Sequence, residues 1–193
     1  MAHDASSIRS SGGLDLLEEA HRLRLSALVN LPMWEQRVDK LDYSDEKAVR
    51  EQFESAKERV LQLKSHPAVL ARPIGNELSV RYTNQAVWNA VSDVARMIHE
   101  VDLWHATMTL IGYASSSRGD VLEINIRGPD LDMLGINYCM PLDSEPAQIC
   151  QYAWEKPWVV TEWGPSQNWE VPCTEGASSK ETSTEKAQRY LER

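Results

Sequence analysis

Two short stretches end apolar runs on side chains able to do acid–base chemistry. "ARPIGNELSV" passes from Ile74 and Gly75 directly into Asn76 and Glu77, and "KPWVVTEWGP" carries Trp158, Val159 and Val160 into Thr161, Glu162 and Trp163. One Glu at a strand end is ordinarily a solvated loop residue, and one Asn beside it a turn residue. Two carboxyl groups at the ends of two strands of one sheet are a different matter. Retaining hydrolysis of a glycoside needs such a pair, about 5–5.5 Å apart across the anomeric carbon. One carboxyl protonates the departing oxygen and later activates water, while the other attacks and forms a covalent glycosyl-enzyme. Their surroundings must push the two pKa values apart, so that one is protonated when the other is ionised.

The elements that must position these residues can be read from periodicity. Strand candidates are "ASSIRS", "LSALVNLPMW", "PAVLARPIG", "ATMTLIGYA", "LDMLGINYC" and "PWVVT". Between them lie amphipathic stretches with apolar residues at helical spacing. In "LDLLEEAHRLRL" the face is Leu14, Leu16, Leu17, Ala20 and Leu23. "SDEKAVREQFESAKERVLQLK" opens on Ser44 as N-cap, with Asp45 and Glu46 in the first turn and Val49, Phe53, Ala56, Val60 and Leu63 inward. "NQAVWNAVSDVARMIHEV" turns Ala86, Val87, Ala90, Val94 and Met97 inward. "GDVLEINIRGPD" is a poorer helix, "EPAQICQYAWE" a short one, and "TSTEKAQRYLER" a last one after a long Gly-, Pro- and Ser-containing loop.

Strand and helix alternating about six times predict a parallel sheet with helices outside it, the strands being apolar at nearly every position. An open doubly wound sheet and a (β/α)8 barrel both meet that description. No G-x-G-x-x-G or G-x-x-x-x-G-K-[ST] follows any strand, which removes the usual support for a nucleotide-binding sheet. In a barrel, functional side chains sit at the C-terminal ends of strands, where Asn76, Glu77 and Glu162 fall.

Composition bounds the alternatives. The 193 residues fit one domain, with 42 % hydrophobic and 25 % charged residues. A net charge of −9 argues against gripping nucleic acid or an anionic membrane surface, and is compatible with a neutral sugar. Cys139, Cys150 and Cys173 are few, odd in number and without C-x-x-C spacing, so neither a disulfide framework nor a zinc site is expected. Nor does Cys139 have an obvious histidine base nearby in sequence. His99, Asp102 and His105 in "HEVDLWH" have a spacing that could hold a metal, but they follow a helix at the end opposite a barrel's active mouth. A capping or loop role is the stronger reading, and no metal or other cofactor is predicted. "RGD" at Arg118 to Asp120 is a three-letter match in a loop. The opening "MAHDASSIRSSGG" has no apolar core of a signal peptide and no run approaches a membrane span. Read as it stands the chain is cytoplasmic; a truncated amino terminus would allow a secreted or periplasmic protein.

The residues also carry a resemblance. "HPAVLARPIGNEL" resembles the fourth barrel strand of clan A glycoside hydrolases, "LDMLGINYC" the sixth and "KPWVVTEWGP" the seventh, with the family 2 type most similar. It implies a single (β/α)8 catalytic barrel over residues 1–193, a fragment of a longer domain, with a carbohydrate as partner and no cofactor. It further implies Glu77 as acid/base, Glu162 as nucleophile, and Asn76 on the sugar's 2-hydroxyl. Arg9 would sit beside the nucleophile and hold it ionised. Trp34 and Trp163 would offer flat faces to a sugar ring, core packing being the other reading for both. Tyr138 would join the substrate site, although it follows Asn137 one position earlier than the family pattern and would face the wrong way unless the strand bulges. The resemblance spans the second to the seventh strand only, with no first or eighth strand found. An incomplete barrel of that kind has two exposed edges, which a homo-oligomer would cover. The alternative is a catalytically silent barrel that binds glycans or needs a partner to fold. Arg72-Pro73 within a central strand weighs on that side, because proline gives no N–H to the ladder.

Overall fold

The structure, a computed structural model, describes residues 12–39, 42–112, 117–138 and 154–163, together with Gln188. Its elements run α1 (Gly12–Arg22), β1 (Ala27–Leu28), α2 (Gln36–Asp39), α3 (Glu46–Leu63), β2 (Val69–Asn76), α4 (Ala86–Val101), β3 (Ala106–Gly112), α5 (Ser117–Arg127), β4 (Met133–Tyr138) and β5 (Trp158–Trp163). The "ASSIRS" strand and most of the helices in "EPAQICQYAWE" and "TSTEKAQRYLER" lie outside the described residues, as do Arg9 and all three cysteines.

All neighbouring strands pair in parallel, in the order β1-β2-β3-β4-β5. A doubly wound sheet reverses its order at a switch point; this one never does, and it curls into a half-barrel. Alternation along the strands explains why both faces are buried. Ala71, Met108, Leu110 and the half-buried Met133 cluster on the concave side. Ile74, Ile111, Leu134, Ile136 and Tyr138 face the helices, where they meet Val60, Trp88, Val91, Ile98, Val121 and Ile124 in one large core. Burying a side chain of this size stabilises by about 1.5–3 kcal/mol, so the helix side carries most of the cohesion. Among the described residues no helix is long and apolar enough to cross a membrane.

Four local departures have physical causes. The N-cap of α3 is Asp45, not Ser44: its Oδ1 accepts from the backbone N–H groups of Lys47 and Ala48, both at 3.1 Å, and its charge complements the helix dipole. Ser44 instead accepts from Asn84 Nδ2 at 2.9 Å. Strand β1 is only two residues long, with a further single bridge between Leu31 and Ile74. Pro73 lies between, and without an N–H it interrupts this ladder. Of the apolar face expected for α1, Leu17 is buried, whereas Leu14, Leu16 and Leu23 are exposed. The fourth is the buried Arg72. It faces the helix layer and is held by Asp102, which lies just past the end of α4, at 3.1 and 3.3 Å.

Candidate functional site

Asn76 and Glu162 reach the concave face because their strands bulge, and Glu77 follows directly past the end of β2. In β2, Pro73 pairs with Met108 and Asn76 with Leu110, so three steps on one strand match two on the other. Simple alternation would turn Asn76 toward the helices; the extra residue turns it to the side of Met108 and Leu110. Gly75 permits this at φ +75°, where an added Cβ would overlap the Leu78 side chain. Glu77 follows at φ +52°, a left-handed conformation that non-glycine residues rarely adopt and that concentrates at functional sites. Its N–H donates to Leu110 O at 2.8 Å and its carbonyl accepts from Val80 N at 2.9 Å. In β5 the register slips in the same sense: Val160 pairs with Ile136, but Glu162 rather than Thr161 pairs with Asn137. Glu162 thereby joins the concave face.

The two ends meet on Asn137, which is 5 % exposed near the end of β4. Its Nδ2 lies 3.1 Å from Asn76 Oδ1 and 3.2 Å from Glu77 Oε1. Thr161 Oγ1 donates to its Oδ1 at 2.8 Å, and Glu162 pairs with Asn137 in register across the ladder. Glu77 has to cross β3 to get there, since strands lie about 4.8 Å apart. Gly112, paired with Asn137, leaves the room: a Cβ on it would sit 3.3 Å from the Glu77 carboxyl carbon. Glu162 is exposed at the rim. Partial desolvation, followed by the negative charge of Glu77, raises its pKa above the ordinary glutamate value, with the nearby Asn137 amide opposing.

Loops after the strands frame this mouth. Gln36 Oε1 accepts from Thr83 N, Thr83 Oγ1 and Asn84 N at 2.7–2.9 Å, which ties the start of α2 to the loop after β2. Trp34, 36 % exposed, is fixed through its backbone, its N–H donating to Gln52 Oε1 and its carbonyl accepting from Tyr43 Oη. Asn76 and Glu77 are thus gathered on one amide, with Glu162 in register beside it. Trp163 and Tyr138 pair with each other in register on the helix-facing side, Tyr138 buried and Trp163 packed against the main core.

The remaining chemistry-bearing residues go elsewhere. His105 Nδ1 lies 2.8 Å from both Asp102 oxygens, and His99 Nε2 lies 2.9 Å from Asp132 Oδ2. These pairs sit at the opposite end of the sheet and diverge; among the described residues no three His, Cys, Asp or Glu side chains converge as metal ligands. Asp120 lies in the first turn of α5, half-buried, its carboxyl raised by burial against an opposing hydrogen bond from Tyr82. Asn137, Thr161 and Gly112 were not singled out from sequence as site residues. For Asn137 the signal is present, an amide closing an apolar strand, as in Asn76.

No family model matches the sequence, and no curated protein matches it. Solved structures do match. A β-D-glucuronidase from Dictyoglomus thermophilum superposes with a TM-score of 0.56 at 14 % identity, over 78 % of this chain and 28 % of that one. A glycosyl hydrolase family 2 member from Bacteroides cellulosilyticus gives 0.53 at 18 %, over 80 % and 19 %. The fold thus resembles that of family 2 glycosidases, and the chain spans 19 % to 28 % of these two proteins' lengths.

Proposed function

We propose that this chain belongs to the catalytic barrel of a retaining glycoside hydrolase that cleaves a β-linked saccharide, with Glu77 as acid/base and Glu162 as nucleophile. The observation that carries the reading is the gathering of both residues at Asn137, which hydrogen-bonds Glu77 and pairs in register with Glu162. In the first step the Glu162 carboxylate attacks the anomeric carbon and the bond to the leaving oxygen breaks. That oxygen takes the proton held by Glu77. In the second step Glu77, now a carboxylate, removes a proton from water, which displaces Glu162 from the sugar and restores both groups. Asn76, on the same face, would hold the 2-hydroxyl, a contact that strengthens in the transition state. Trp34 at the rim would face the sugar.

The nucleophile must be ionised at the working pH, whereas its described surroundings push Glu162 up. The reading therefore needs a cation beside it, and Arg9 is the residue the resemblance supplies. The test is hydrolysis of a panel of 4-nitrophenyl β-glycosides. Glu77→Ala and Glu162→Ala should each lower kcat/KM by at least about 10²–10⁴-fold, and azide should restore turnover in Glu162→Ala with a glycosyl azide as product. Hydrolysis unchanged in Glu162→Ala removes the mechanism.

A second reading, a silent barrel that binds glycans or needs a partner, is favoured by the open flank at β5. Val159 on the concave side is 38 % exposed, and among the described residues β5 is paired on one side only. A folded monomer that turns over a glycoside would eliminate it.

A further inference from the structure

A side-chain amide has a donor end and an acceptor end, and the neighbours of Asn76 decide which end it turns to a ligand. The decision begins at Asn137, which is buried. A primary amide offers two N–H hydrogens and one carbonyl oxygen. Asn137 Nδ2 donates to Asn76 Oδ1 at 3.1 Å and to Glu77 Oε1 at 3.2 Å, so its two hydrogens have two acceptors. Its Oδ1 accepts from Thr161 Oγ1 at 2.8 Å. Each polar atom of the Asn137 side chain is thus engaged. Thr161 is held in turn: a Cβ on Gly135 would lie 3.1 Å from the Thr161 methyl carbon. The bare backbone of Gly135 gives the methyl group its place, and the stiff β-branched side chain then carries its hydroxyl to Asn137.

Donation therefore runs from Thr161 to Asn137 and from Asn137 to Asn76. Because Asn76 gives its Oδ1 to Asn137 and is only half-buried, the end left to a ligand is its NH2 group. Turning Asn76 over would set its NH2 against that of Asn137 and strand a buried hydrogen without an acceptor, which a buried site resists. We propose that Thr161 and Asn137 are positioning residues that fix Asn76 as a hydrogen-bond donor, so that the site selects a ligand presenting an accepting oxygen there. Which oxygen rests on the reading above: in the glycosidase it is the 2-hydroxyl of the sugar. A hydroxyl that accepts from Asn76 keeps its own proton for another acceptor, so the relay also orients the hydroxyl. Thr161 thereby acts on the substrate without touching it, through two amides.

The kinetic test compares the best-cleaved 4-nitrophenyl β-glycoside with its 2-deoxy counterpart, as a ratio of their kcat/KM values. The intrinsic reactivities of the two glycosides are the same for every variant and cancel between variants, as does a general loosening of the site. Thr161→Val keeps the methyl group and removes the donor. It should lower the ratio about tenfold, on the scale of one hydrogen bond, and Asn137→Ala should lower it at least as far. Thr161→Ser keeps the hydroxyl and should hold the ratio near wild type. A ratio unchanged in Thr161→Val, or lowered equally in Thr161→Ser, would overturn the proposal. A readout independent of turnover is solvent exchange of the side-chain NH2 hydrogens, followed by nitrogen-15 NMR in the whole chain and assigned with Asn76→Asp and Asn137→Asp. The Asn137 pair should exchange more slowly than the Asn76 pair by about tenfold or more, and Thr161→Val should narrow that difference. Asn76 hydrogens protected as strongly as those of Asn137 would mean that Asn76 faces the other way, and would overturn it too. A wild-type chain that hydrolyses no glycoside would count against the proposed reaction, and the exchange measurement would then judge the relay by itself.

Discussion

The sharpest stability prediction concerns the buried ion pair at the far end of the sheet. Arg72 and Asp102 both have fully buried side chains. The Asp102 carboxylate accepts from Arg72 Nη2 and Nε and from the Trp104 N–H, and it lies 2.8 Å from His105 Nδ1. Arg72 Nη1 is buried with no partner already. Replacing Asp102 with alanine leaves a buried guanidinium without its counter-charge, a loss of about 3–5 kcal/mol. Set against the roughly 5–15 kcal/mol that holds a typical domain together, that is a large share. At about 2–4 °C per kcal/mol it lowers Tm by roughly 6–20 °C. Urea unfolding followed by circular dichroism reads the difference directly. The double variant Arg72→Met with Asp102→Leu should recover most of it, because an apolar pair of similar volume avoids the desolvation cost. The pair also has a pH signature. Burial pushes the Asp102 carboxyl up, but His105 and Arg72 together outweigh burial and hold it below the usual aspartate range. Its contribution is therefore full above the unfolded pKa of about 3.9 and is lost as pH falls through the lowered folded value. If Asp102→Ala stays within about 1 kcal/mol of wild type, or the double variant is no better than the single one, the pair is not what holds Arg72 inside.

Two further predictions probe the mouth. Gly112→Ala places a methyl group 3.3 Å from the Glu77 carboxyl carbon and 3.0 Å from Val80 Cγ2; displacing the carboxyl by a few tenths of an ångström should lower kcat/KM about tenfold, with little change in urea midpoint. Arg9→Ala should raise the pKa of Glu162 further, so the acidic limb of the kcat/KM profile should move to higher pH while the alkaline limb stays; an unmoved acidic limb would separate Arg9 from the nucleophile.

How legible was the fold? The five described strands fall where continuous apolar runs end on Gly, Pro or polar residues, because a strand buried on both faces leaves that mark whatever its partners are. What the pattern could not reveal is order: only the pairing shows that the strands follow one another without reversal, which separates a curled barrel-like sheet from a doubly wound one. Local chemistry misled in small ways. Ser44 and Asp45 are both good N-caps, and the choice went to the carboxylate because Asn84 engages the serine. The leucines of α1 have helical spacing, yet spacing does not say that another element lies over them. Arg72 looked like a flaw in a central strand because its partner, Asp102, lies thirty positions away beyond the next helix.

The site was legible in its residue types and hidden in its geometry, for one reason. A strand read at period two assigns each side chain to a face, and one inserted residue reverses every assignment after it. Counting from Pro73 on the concave side puts Gly75 inside and Asn76 outside; counting from Val159 puts Thr161 inside and Glu162 outside. Both counts misplace the candidate residue, Asn76 or Glu162, because β2 and β5 each carry a bulge next to it. Strand β4 lacks one after Asn137, where Tyr138 keeps ordinary alternation and turns to the helices. The three strands thus differ at the point where an active mouth would have to be built. Two of them break the pleat, β2 to bring Asn76 inward and β5 to bring Glu162 inward, with Glu77 in left-handed backbone just after. The third keeps it, and Asn137 is already inside. A regular sheet of this sequence would turn both Asn76 and Glu162 away from Asn137, so the gathering of these residues on one face depends on the bulges as much as on the residue types.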